Sequence, residues 1–300
     1  MTRLAQFKKT LDARFLDASV TDPADNWFML VDAAQYPHND AMDWGREAQY
    51  GRWGNLLLAN PEGQEPDLTA WLVPLAGDSH GLDLPGWVDL DTCPFATTWI
   101  QSPYTLYQLT YHWQRLVDAH LPKKKLGMLR LYDGCALQHM FGILDEDQCD
   151  TLSAPARHWL YCDRAGDLQM KSREPAGALA SFPLELTEEQ VTLLKRATHV
   201  DRIILDLKVA EWLPHDADAF DAYELVSERV KIAQRYNIPE LSRQFEFVAT
   251  TLRWSPEWLA SNELTSRLRE VSSTGNSIVD ALAELPQLMQ AETHRSTKGI

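Results

Sequence analysis

The spacing of apolar residues changes along the chain. In the first half they fall in short continuous runs: residues 27–31 (WFMLV), 70–75 (AWLVPL), 97–101 (TTWIQ) and 158–162 (HWLYC). Each run is strand-sized and flanked by turn-rich sequence, so each predicts a β-strand. Pro74 cannot donate a ladder hydrogen bond, which places the second run at a strand end or a sheet edge. The glycine- and asparagine-rich stretch between the first two runs leaves room for another short strand at residues 56–58.

Helices interrupt this series. Ser102 and Pro103 form a Ser-Pro opening, and Leu106, Leu109, Trp113 and Leu116 follow at three- and four-residue spacing, which predicts a helix lying against a sheet and stopped by Pro122. A strand over residues 127–132 follows, then a short helix over 135–144. After residue 162, Arg164-Ala165-Gly166 and the alternating DLQMKSR predict a hairpin. This is an α/β pattern, and the hairpin makes the sheet mixed.

Residues 174–183 (EPAGALASFP) have two prolines and no periodicity, the composition of a linker. Beyond them the pattern is helical. Thr187 and Gln190 form a capping box, with Leu186 and Val191 placed as a hydrophobic staple. Further stripes are Phe220, Tyr223, Val230 and Ala233; Leu241, Phe245, Val248 and Leu252; and, after a second Ser-Pro opening at 255–256, Leu264, Leu268 and Val271. A last weak helix begins near Asp280. The expectation is an α/β lobe over residues 1–175, with a small mixed sheet and flanking helices, followed by an all-helical, bundle-like lobe over 184–300.

Charge narrows the range of functions. The formal net charge is -15 and the pI is near 5.0. The one basic cluster is Lys123, Lys124 and Lys125, far less than a phosphate-neutralising footprint, so no nucleic acid is expected as partner. No run approaches the length of a membrane span and no secretory signal opens the chain, so direct membrane insertion is not expected and a cytoplasmic location is. Cys93, Cys135, Cys149 and Cys162 form no Cys-x-x-Cys pair and read as reduced side chains.

Three motifs for chemistry are missing: the sequence has no Walker loop, no Gly-x-Gly-x-x-Gly and no His-Glu-x-x-His. Neither catalytic residues nor a cofactor or metal are expected. His139 reads as a structural histidine, and Asp89 with Asp91 as a solvated loop pair.

One charged residue stands out. In a strand over 127–132, Arg130 points to the same face as Met128 and Tyr132, and a covered guanidinium needs a carboxylate partner. Asp32, ending the first strand, and Asp133, which also suits a helix cap before Gly134, are placed to provide one. Asp32, Arg130, Tyr132 and Asp133 are therefore expected to form a structural polar cluster, with Gly134 adopting a backbone shape other residues resist. In the helical region, Phe247, Trp254 and Trp258 sit off the strong stripes and are candidates for protein binding.

The order WFMLVDAA, WLVPL, SPYTLYQLTYHWQRLV and GMLRLYDGCAL resembles the domain of unknown function numbered 4123, found in adaptor proteins of bacterial type VI secretion. The resemblance covers about residues 27–145, extending toward 163, and rests on Asp32 after the first strand and on Arg130, Tyr132 and Asp133 in the late strand. It departs at Gly134, where the family often has proline. The resemblance implies a chaperone or adaptor, not an enzyme, that binds a secreted effector in the cytoplasm and loads it onto the spike protein of the apparatus. It implies a cargo-specific role for the variable helical region. Two other readings stand beside it: a metal-assisted hydrolase using Asp32 and Asp133 with one of Asp89, Asp91 or His139, and a self-associating structural protein.

Overall fold

The computed structural model describes residues 3–21, 25–36, 43–78, 81–88, 90, 93–176, 183–214, 217–238, 241–274 and 277–282. Asp89 and Asp91, the centre of the expected linker (177–182) and the chain after 282 lie outside the described residues. Two compact units divide the chain, residues 1–198 and 199–300. The first is a mixed α/β lobe and the second is all helical.

The first unit opens with helix α1 (Arg3–Thr21), followed by strand β1 (Asn26–Asp32), helix α2 (Trp44–Gly51) and strands β2 (Gly54–Asn55), β3 (Ala70–Asp78), β4 (Gly81–Asp83) and β5 (Thr97–Ser102). Helix α3 (Leu106–Gln114), the hairpin β6 (Asp118–Leu121) and β7 (Lys125–Met128), and helices α4 (Gly134–Ile143) and α5 (Glu146–Ser153) come next. Strands β8 (His158–Cys162) and β9 (Leu168–Ser172) and helix α6 (Glu188–Ala197) complete it. The main sheet runs β2-β3-β1-β5-β8-β9, with β4 also paired to β3.

Every ladder is antiparallel, where a mixed sheet was expected. The described parallel pairing is an isolated bridge between His120 and Glu185. The helices between β5 and β8 lead to an antiparallel neighbour instead of forming a parallel crossover.

β1 is buried on both faces because helices cover both. Phe28, Leu30, Leu72, Ile100, Trp159 and Tyr161 share one core with Leu109 and Trp113 of α3, Leu137 and Met140 of α4 and Leu152 of α5. On the other face, Phe7 of α1 meets Trp99 at 5.4 Å between ring centroids, and Phe15 meets Trp27 at 5.3 Å. Phe7, Leu11 and Phe15 are buried at four-residue spacing, a helical stripe that the sequence reading passed over. Pro74 lies opposite Phe28 on one side, and on the other in the gap between β2, which pairs with residues 71–72, and β4, which pairs with 76–78.

Several local expectations are corrected. Residues 127–132 are not one strand: β7 ends at Met128, and Arg130 begins the turn closed by Asp133 N–H donating to its carbonyl at 3.0 Å. Thr105, not Ser102, caps α3, through a capping box with Gln108. Ser102 instead ends β5, donating its hydroxyl to the Pro155 carbonyl. The helix ends at Gln114, well before Pro122, because residues 118–121 pair with β7. Residues 56–58 form a turn, and the short strand lies just before them.

α6 belongs to the first unit although it follows the expected linker. Its capping box at Thr187 and Gln190 is formed as expected, and a second box caps α5 at Asp145 and Gln148. The two glutamine amides join the boxes: Gln190 Nε2 donates to Gln148 Oε1 at 2.6 Å, and Gln148 Nε2 donates to Gln190 Oε1 at 3.3 Å and to the Glu185 carbonyl at 2.6 Å.

The second unit contains α7 (His199–Val209), α8 (Ala219–Arg235), α9 (Leu241–Thr251), the short α10 (Pro256–Leu259), α11 (Asn262–Thr274) and α12 (Ile278–Leu282). Ile203, Leu207, Val226, Val230 and Val248 form one core. Phe247, Trp254, Leu264, Leu268, Val271 and Ile278 form another, with Trp258 packed against it. On α9 the buried face is Gln244, Phe247, Val248 and Thr251, rotated from the expected stripe, and Leu241 is exposed.

Candidate functional site

One end of the main sheet gathers the polar residues singled out in the sequence. β1 ends there at Asp32, β3 begins opposite it at Ala70, and β5 begins at Thr97, opposite Val31. β8 runs out at the same end, since Tyr161 pairs with Thr98. The backbone of Asp32 is fixed by its N–H donating to the Ala96 carbonyl at 2.8 Å.

Arg130 reaches this end from the turn after β7. Its Nη2 lies 2.5 Å from Asp32 Oδ2 and 3.3 Å from Asp133 Oδ2. Gln35 Nε2, from the 3-10 turn after β1, donates to the same Asp32 oxygen at 2.9 Å. The other oxygen of Asp133 accepts from the Cys135 and Ala136 N–H groups at 2.9 and 3.3 Å, capping α4. Asp133 thus serves both the helix dipole and the arginine. Gly134 opens α4 with ordinary backbone angles. Its place is set by close approach, because a Cβ there would lie 3.2 Å from the Cys162 carbonyl oxygen.

The side chain of Asp32 is only 2% exposed, while that of Arg130 is 47% exposed. Burial pushes the Asp32 carboxyl above its usual range and outweighs the opposing pull of Arg130 and the Gln35 hydrogen bond. Burial also opposes the charge of Arg130, but Asp133 and Asp32 together overcome it and hold the guanidinium above its usual value. The two shifts point to different states of the ion pair. The geometry decides in favour of an ionised pair, since a short charge-assisted contact needs both charges. Tyr132 is buried beside the pair, its hydroxyl 3.4 Å from Met128 Sδ. Burial, then the charge of Asp32, raises its pKa.

His139, on α4, is near this cluster. Burial and then Arg164 lower its pKa, against Asp133, so it is held neutral. Arg164 itself stacks on Phe95, 4.3 Å from the ring centroid. Among the described residues no three His, Cys, Asp or Glu side chains converge as metal ligands.

A set of aromatics at the same end went unread in the sequence. Tyr36, Trp44, Trp53, Trp71 and Trp87 meet edge-on or tilted at centroid distances of 5.1 to 6.3 Å. The tryptophans of WGREAQYGRWG and the following loop were the available signal, but their partners lie on separate segments. Of the residues expected to bind protein, Phe247 is fully buried, Trp254 is 7% exposed and Trp258 packs against the same core. Phe247 and Trp254 are core residues, and Trp254 also offers its carbonyl to the buried Arg229 at 3.2 Å, whereas Trp258 is half-buried.

Residues 27–151 match the family described as Domain of unknown function (DUF4123). The match begins in β1 and ends in α5, and so includes Asp32, Arg130, Tyr132 and Asp133. No curated protein and no solved structure matches the chain. No helix among the described residues is long and apolar enough to cross a membrane.

Proposed function

We propose that this protein is a cytoplasmic, non-enzymatic adaptor that binds an effector of type VI secretion and loads it onto the spike protein. The match of residues 27–151 to DUF4123 carries the reading, together with the resemblance of that family to type VI adaptors. In this reading the α/β unit performs the task common to the family, and the helical region reads the cargo. The faces of α7–α11 opposite their buried stripes can vary without disturbing the cores, which suits them to a specific partner.

The polar cluster supports a structural role over hydrolysis. Asp32 and Asp133 both face Arg130, so a guanidinium occupies the place where a hydrolase would need a divalent cation between them. The test is co-expression of the full chain with the effector and spike proteins encoded beside its gene, followed by light scattering. A defined heteromeric complex with either is expected. Self-association alone, with no complex, would assign the protein to the structural reading instead.

A further inference from the structure

The β6–β7 hairpin leaves one edge of its ladder unpaired among the described residues. His120 N–H donates to the Leu184 carbonyl and its own carbonyl accepts from Leu186 N–H, both at 2.8 Å. His120 therefore directs its backbone groups away from β7. Its cross-strand partner is Leu126, and antiparallel pairs alternate between facing inward and outward. Leu126, and two residues on Met128, thus direct N–H and C=O groups outward from the opposite edge. The adjoining pair confirms the alternation, since Leu129 N–H donates inward to the Val117 carbonyl at 2.6 Å.

The side chains on this edge are also exposed. Leu126 is 66% and Met128 36% exposed, and they share a face. Lys123, Lys124 and Lys125 lead into the strand. Lys123 and Lys124 both have left-handed backbones, φ 61° and 58°, as the tight turn of this hairpin requires. Lys123 meets Glu188 loosely at 3.7 Å, with both side chains largely in solvent. Lys124 and Lys125 have no ion-pair partner among the described residues. In a chain of net charge -15 this is a local positive site, and salt screens the remaining charge beyond about 8 Å.

We propose that the outer edge of β7 is a docking site for an extended segment of a partner protein in which acidic and apolar residues alternate. The segment adds as a strand, its backbone bonding to Leu126 and Met128, its apolar side chains packing on theirs and its carboxylates meeting the lysines. A second copy of this chain is a poorer occupant, because β7 (KLGM) carries no acidic residue to meet the lysines. The proposal does not depend on the adaptor reading.

The test measures fluorescence anisotropy of the full-length protein with two end-capped peptides, one alternating Glu and Val and the other Lys and Val. Glu–Val is expected to bind at least about tenfold more tightly. Leu126→Pro should weaken its binding about tenfold at unchanged melting temperature. The substitution removes an outward N–H, and Lys125, at φ -83° and ψ 156°, already has the extended backbone that a residue before proline requires. The double variant Lys124→Glu, Lys125→Glu should reverse the preference. Should Leu126→Pro disturb the hairpin, amide exchange in the unaltered protein decides, with the Leu126 and Met128 amides slowed on adding Glu–Val. The proposal is overturned by equal binding of the two peptides, by no binding up to about 1 mM, by binding that survives Leu126→Pro, by unslowed amides, or by a dimer that Leu126→Pro dissociates.

Discussion

Arg130 joins two segments far apart in sequence, the end of β1 and the start of α4, through carboxylates that are both far less exposed than the guanidinium itself. Removing it would leave Asp32 charged and buried with Gln35 as its remaining side-chain donor. The half-exposed guanidinium lessens the effect relative to a fully buried pair. Arg130→Ala should therefore lower stability by about 2 kcal/mol, read as a shift in urea midpoint with unchanged slope. His112 gives a separate prediction. It is fully buried on α3, and burial lowers its pKa to about 4 despite hydrogen bonds to the carbonyls of Leu152 and Thr151. A depressed folded pKa contributes stability that is complete above the unfolded value near 6.5 and is lost as pH falls toward 4, up to about 3 kcal/mol. His112→Gln, neutral and still able to donate, should flatten this part of the pH–stability profile measured by urea titration. At this scale the partners of Arg130 were legible, because a covered guanidinium requires carboxylates and only certain strand ends offered them. Its exposure was not, because it depended on a strand that stops at Met128.

At the scale of elements, the joined capping boxes of α5 and α6 explain why a helix beyond the linker packs with the α/β unit. Each glutamine amide caps its own helix and bonds the other, so their effects should not add. Gln148→Ala and Gln190→Ala should each cost about 1 kcal/mol, and a double-mutant cycle by urea denaturation should give a coupling of about 1 kcal/mol. A coupling near zero would mean the helices are held by packing alone. Both apolar runs and capping boxes were readable in the sequence, since each is a local pattern. α1 was also readable, since Phe7, Leu11 and Phe15 fall at four-residue spacing and are buried. The end of α3 was not readable: Pro122 looked like a stop, while the actual stop is set by pairing of β6 with β7, a contact made after the turn. The joining of Gln148 to Gln190 is likewise invisible in sequence, because it requires two helix starts to meet in space.

For the whole molecule, the division lies at residues 198–199, beyond the composition change that suggested a linker. Composition marks where the chain is irregular, whereas the unit boundary depends on where buried side chains go. Leu184 and Leu186 both enter the core of the α/β unit. A fragment of residues 1–198 should fold on its own, and one of residues 1–183 should be less stable by about 4 kcal/mol, counting about 2 for each lost leucine. Circular dichroism with urea titration compares them, and equal midpoints would place α6 outside the cooperative unit. The antiparallel order also has a consequence for synthesis on the ribosome. β1 emerges early, yet its neighbour β5 ends at Ser102, and β8, which pairs with β5, at Cys162. Hydrophobic strands that wait for distant partners fold slowly and are exposed to aggregation. The nascent chain must therefore keep six consecutive buried residues of β1, Trp27 to Asp32, from improper pairing until both its neighbours, β3 and β5, have been made, which makes the speed of translation through residues 33–102 a determinant of yield.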